Sequence, residues 1–186
     1  MHPYEMQRLI RERHKDDLLD LRPGSLYHAV ERLEKAGLIE AVETTREGKR
    51  PERTTYRITE AGTDELLDWL RDWLARPSTD PNQYVAAVSH IPHLPAEEVA
   101  GLLANRAMML EAEIAAMTSM MNRVSSALPR LVMLEAELSL ARLRADLAWT
   151  AGVVEDLRSG ALDWDIEKLR ANPIVPGEVR FQEENA

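Results

Sequence analysis

Apolar residues recur at helical spacing at both ends of this chain and alternate at every second position in one short stretch between. Near the start, Tyr4, Leu9 and Ile10, with Arg13, follow Pro3 at roughly helical intervals, which predicts a first helix over 3–16. In "RPGSLYHAVERLEKAGLIE", residues 22–40, the positions Leu26, Val30, Leu33 and Gly37 form a narrow apolar stripe, and Ser25, His28, Arg32 and Lys35 take the opposite face. Pro23 suits a first helical turn and Gly37 the left-handed position that ends a helix, so this helix is short and sharply bounded.

The period then changes. "LIEAVETT" (38–45) and "TTYRIT" (54–59) alternate, with Tyr56 and Ile58 on one side of the second run, which predicts two paired strands. Between them "REGKRPER" (46–53) reads as a hairpin tip in which Arg46, Lys49, Arg50 and Arg53 outnumber Glu47 and Glu52. Thr59 is placed as the N-cap of a following helix, whose Leu66, Leu67, Leu70, Trp73 and Leu74 share one side.

A composition break follows at residues 77–95, a proline-rich connector expected to hold one short helix around 82–89. From Ala96 the spacing predicts two long helices. In the first, Val99, Leu103, Arg106, Leu110, Ile114, Met117, Met121, Val124 and Leu128 keep close to a heptad rhythm, until Pro129 breaks it. The second carries two seams: Leu131, Leu134, Leu138, Ala141, Ala145, Ala148 and Gly152, and separately Ala136, Leu140, Leu143, Leu147, Thr150, Val154 and Leu157. One hairpin partner buries one seam. The other calls for a further partner, most simply a second copy in a two-fold dimer. "LDWDIEKLR" is a candidate last helix, and residues 172–186 are expected to form a flexible tail.

Composition narrows the function. The chain has no cysteine, which removes disulfides and thiol nucleophiles, and its apolar content is mostly Leu, Ala, Met and Val, which favours helices. Neither a membrane span nor a leader is visible, so a cytoplasmic protein without a membrane partner is expected. The net charge of -9 disfavours non-specific polyanion binding. It is unevenly spread, with 14 Lys+Arg against 16 Asp+Glu in residues 1–76 and 9 against 16 in the remainder, which leaves room for a basic face in the first part. A cationic hairpin tip alone is often only a solvated turn. Here it follows a helix with a polar outer face, in the order of a winged helix, where one helix enters the major groove and the ribbon's cations grip phosphate.

"MHPYEM" (1–6), "PGSLYHAVERLEKAGLIE" (23–40) and "RTTYRITEAGTDEL" (53–66) resemble the winged-helix domain of the PadR family of transcriptional regulators. "LPAEEVAGLLANR" with the two long helices and "LAWTAGVVEDLRSGALDW" resembles the virulence-activator-like helical domain of one branch of that family. The resemblance implies a mainly α fold with a small β-ribbon: an N-terminal winged helix-turn-helix domain over 1–76, and a C-terminal domain over 96–171 whose long antiparallel helices dimerise. It implies a homodimeric regulator, a repressor or an activator with repression preferred, on a palindromic double-stranded DNA operator. By position it assigns Ser25, Tyr27, His28 and Arg32 to base edges or phosphate, and Lys49, Arg50 and Arg53 to the wing. Dimer contacts are expected at Leu110, Ile114, Met117, Met121, Leu140, Leu143, Leu147, Trp149 and Val154.

Two departures from the family pattern stand out. Arg22 replaces the usual Ser or Thr cap and is assigned to phosphate instead. The family also carries a helix before "HPYEM", whereas this sequence begins at Met1. Either a longer natural protein is expected, or a partly uncovered domain of reduced DNA affinity. The family senses small phenolic or drug-like effectors, for which Trp149, Trp164 and the methionines at 108–121 are candidates, although methionine at heptad spacing also reads as core. No cofactor or metal is implied. His90 and His93 with Glu97 and Glu98 are the nearest approach to a ligand set, but Pro92 and Pro95 keep them off a common helical face, and no nucleophile with a base is visible, so no enzyme is expected. A coiled-coil adaptor without specific DNA binding is the competing reading.

Overall fold

The computed structural model describes residues 1–12, 24–45, 53–78 and 80–171. They divide into two compact units, the first made of Met1–Trp69 together with 170–171 and the second of Leu70–Leu169.

The first unit contains α1 (Pro3–Glu12), α2 (Ser25–Lys35), β1 (Ile39–Thr45), β2 (Arg53–Ile58) and the first turns of α3 (Glu60–Ala75). Residues 13–16 of the expected first helix, Arg22, Pro23 and the ribbon tip at 46–52 lie outside the described residues. Helix α2 buries Val30 and half-buries Leu26 and Leu33, so the apolar stripe turns inward as its spacing predicts. Gly37 closes it at φ 73°. Its N–H donates to Glu34 O (2.9 Å) and that of Leu38 to Leu33 O (3.0 Å), the paired bonds that satisfy the last carbonyls of a helix ended by a left-handed residue.

The two strands are antiparallel, from Ile39 opposite Ile58 to Thr45 opposite Arg53. Their alternation is interrupted between Ala41 and Glu43, where Val42 is the extra residue of a bulge and is 56% exposed. On the far edge of β2, Tyr56 exchanges backbone hydrogen bonds with Met1, its N–H donating to Met1 O (3.0 Å) and its carbonyl accepting from the amino group (2.7 Å). Thr59 caps α3 as expected, its Oγ1 accepting from Gly62 N–H (3.0 Å) and donating to Gly37 O (2.8 Å). One hydroxyl thereby ties the end of α2 to the start of α3.

The second unit takes the rest of α3, then α4 (Pro81–Ser89), a single 3-10 turn at Ile91–His93, α5 (Ala96–Val124), α6 (Arg130–Ser159) and most of α7 (Ile166–Ala171). Asp80 caps α4 through Asn82 N–H (2.9 Å), and Pro81 fits the first turn because its missing N–H would have had no helical partner. Residues 77–95 are more than a connector: Ala87 and Leu94 are fully buried, and Leu94 O accepts the Trp164 indole N–H at 2.9 Å. Leu70, Leu74, Val99, Leu103 and Leu110 complete the centre of this core. Each buried leucine there stabilises by about 2 kcal/mol.

Helices α5 and α6 pack as an antiparallel hairpin, with Arg106 paired to Asp146 near one end and Met121 beside Met133 near the other. Of the two seams on α6, the one containing Leu140, Thr150 and Val154 is buried. The other stays open along its length, with Leu131 79% and Leu138 53% exposed and Ala141, Ala145, Ala148 and Gly152 exposed beyond them. No helix among the described residues is long and apolar enough to cross a membrane.

Candidate nucleic-acid interface

Because Leu26, Val30 and Leu33 turn inward, the residues between them must face out. Ser25, Tyr27, His28 and Arg32 are all exposed on α2, and Arg53 is exposed at the start of β2. Tyr27, whose place next to Leu26 allows a partly inward ring, is 44% exposed and belongs to the outer face. Gly24, the N-cap of α2, takes φ 94° and has no side chain to cap it. The first amides of α2 and the positive end of the helix dipole can therefore meet an anion.

The electrostatics of this face are mixed. His28 Nδ1 lies 3.8 Å from Glu31 Oε2, and Arg57 on β2 is neutralised by Glu40 at 2.6 Å across the ribbon. Arg32 and Arg53 pair with no carboxylate among the described residues, so both are open to a phosphate or a base edge, as is Lys35 on the same helix. Tyr56 joins the ribbon to α2. Its phenol is pushed up from the ordinary tyrosine value by burial and by Glu34, whose carboxylate accepts its hydrogen bond. Of the remaining expected DNA contacts, Arg22, Lys49 and Arg50 lie outside the described residues.

The profile of the Transcriptional regulator PadR-like family matches residues 1–68, the stretch that holds this helix and ribbon. The match covers the first 68 of 186 residues and is a likeness of that stretch. Among curated proteins, none matches the chain. Solved structures similar to the chain include Bacillus subtilis PadR in complex with operator DNA, at 20% identity and a TM-score of 0.38, covering 84% of this chain and 91% of that one. The same Bacillus protein in complex with p-coumaric acid is 16% identical with a TM-score of 0.39, covering 85% and 90%. The smu.1604c protein of Streptococcus mutans UA159 is 18% identical with a TM-score of 0.36, covering 87% and 90%.

Outside the matched residues the chain holds a polar cluster that periodicity does not announce. Arg106 occupies a core position of the α5 stripe and is only 3% exposed. Its Nη1 donates to Arg76 O (2.7 Å), its Nη2 to Asp146 Oδ2 (2.8 Å), and its guanidinium carbon sits 3.5 Å from the centre of the Tyr84 ring. Thr150, fully buried, donates to Asp146 Oδ1 (3.2 Å) and shares a hydrogen bond with the Tyr84 hydroxyl (3.3 Å). Burial pushes the Tyr84 phenol up from its ordinary value, with Thr150 and Arg106 opposing the shift. Asn105 adds a bond from Nδ2 to Ala75 O (3.2 Å), so two neighbouring side chains of α5 cap the last carbonyls of α3.

The residues expected at a dimer interface divide by burial. Leu110, Leu140 and Val154 are buried within one chain, Ile114, Met117, Met121, Leu143 and Leu147 are half-buried, and Trp149 is 47% exposed with Tyr84 edge-on at 6.0 Å. The buried ones serve the intrachain hairpin, because a single pair of helices already covers them. Of the methionines at 108–121, Met108, Met109 and Met120 are exposed, and the heptad-spaced Met117 and Met121 are half-buried. Trp164 is held by Leu94 O, while Trp149 borders a hollow with α4. The rings of His90 and His93 meet edge to face at 5.5 Å, and no three metal-ligating side chains converge among the described residues.

Proposed function

We propose that the chain is a sequence-specific repressor that binds double-stranded DNA as a homodimer on a palindromic operator and responds to a small aromatic or drug-like effector. The observation that carries the reading is the outward face of α2, where Ser25, Tyr27, His28 and Arg32 stand exposed together with Arg53 on the adjoining ribbon. Hydroxyl, imidazole and guanidinium groups are the donors and acceptors that base edges and phosphates take. Arg22, Lys49 and Arg50 are proposed to extend the phosphate contacts. Two-fold assembly is supported by the open seam from Leu131 to Gly152, an apolar stripe that one chain leaves in water. Repression is the outcome that occupying an operator gives without further machinery.

The test is binding to the DNA upstream of the chain's own gene, against scrambled DNA of equal length, across a salt series. The expected result is a clear preference for the upstream duplex and an affinity that falls steeply, by about tenfold or more, between about 50 and 200 mM salt. A coiled-coil adaptor would show no such preference and would keep its partner as salt rises.

A further inference from the structure

Given the two-fold assembly proposed above, on which this reading rests, we infer that the open seam of α6 meets its own copy antiparallel, and that the leucine-bearing half of one chain fills a hollow beside the small-residue half of its partner. The seam is uneven along its length. Leu131, Leu134 and Leu138 stand exposed in the first half, and Ala145, Ala148 and Gly152 follow in the second. Beside the second half lies a hollow of about 460 Å³, walled by Gly101, Ala104 and Met108 of α5 and by Ala151 and Val154 of α6. A space of about 150 Å³ holds benzene, so this one has room for leucine side chains.

Shape and charge both select that arrangement. A two-fold axis parallel to α6 sets leucine against leucine in one half of the seam and alanine or glycine against its like in the other, which crowds one end and leaves the hollow empty. An axis perpendicular to α6 brings Leu138 to the partner's Ala148, Leu134 to the partner's Gly152 and Ala141 to the partner's Ala145, all centred on position 143. Each leucine then meets a small residue, which is how a close-packed interface fills space. The helices cross between Ala141 and Ala145, where small side chains permit close approach, with Arg142 and Arg144 exposed to either side. The same register sets Leu131 opposite the partner's Glu155, at the lining of the hollow. It also brings Arg130, whose side chain is 80% exposed and which holds Glu137 through Nε and Nη2, to the partner's Asp156. A parallel pair would instead set Glu155 and Asp156 against their own copies.

The chain has no cysteine, so introduced ones report contact directly. Under mild oxidation, Leu138→Cys and Ala148→Cys in one chain should give at least about tenfold more covalent dimer than either single variant. In the antiparallel register each single cysteine lies about 15 Å along the helix from its copy, whereas a disulfide needs Cα atoms within about 7 Å. Leu134→Cys with Gly152→Cys is the second pair, with the same expectation, and it decides should the first fail to fold. Ala151→Trp tests the hollow, because it fills that space from an exposed position. It should raise the dimer dissociation constant by about tenfold in sedimentation, with the far-UV circular dichroism unchanged. A parent protein that sediments as a monomer would remove the two-fold assembly and this fit with it. With a dimeric parent, single variants that cross-link as readily as the double, folded double variants that do not cross-link, or a folded Ala151→Trp protein with the parent's dissociation constant would overturn the antiparallel fit and leave the assembly standing.

Discussion

Gly62 shows how a single missing side chain can set the geometry of the first unit. A Cβ built there would run into the backbone carbonyl of Leu38 and crowd the Ile58 side chain, so α3 can start this close to the ribbon only with glycine at that place. Gly62→Ala is expected to destabilise the first unit by about 1–3 kcal/mol, read as a shift in the urea midpoint, because the obstacle is backbone and cannot rotate away. A midpoint within error of the parent would contradict the close approach. Arg106 makes the opposite point about what a sequence conveys. Its heptad step places it in the core stripe, yet its partners Arg76, Tyr84 and Asp146 lie far along the chain, and nothing local at any of the four positions names the others. A charged residue at a core position is the one signal of such a network, since it must be paired to be tolerated.

Among the elements, those whose signals are local were the legible ones. The stripe and Gly37 sufficed for α2 and Thr59 for the start of α3, because caps and breakers act within a turn. The bulge at Val42 was not legible: Ala41 and Val42 are both acceptable inward residues, and the choice between them is made by β2 across the ribbon. Helix α6 was legible as two seams but not in which one the hairpin would cover. The open seam makes a prediction at this scale. Leu138→Glu places a charge on it without entering the intrachain core, so it should shift the sedimentation of the protein toward monomer while leaving helicity unchanged. A variant that sediments like the parent would show that this seam is not where two copies meet.

On the scale of the molecule, net charge and local function point in different directions. A chain of net charge -9 is a poor general ligand for DNA, and the face of α2 carries Glu31 and Glu34 as well as Arg32. On the proposed function, binding by charge alone is weak, and recognition comes from the groups that read bases. The central claim is that α2 supplies those groups. The most direct measurement compares the parent with Arg32→Ala on upstream and scrambled duplexes at one fixed salt concentration. If Arg32 reads a base, the variant loses about 1–3 kcal/mol on the upstream duplex and much less on the scrambled one, so the ratio between them collapses. Equal losses on both duplexes would contradict the account, because they would reduce Arg32 to a phosphate contact and leave the outward face of α2 without a reading role.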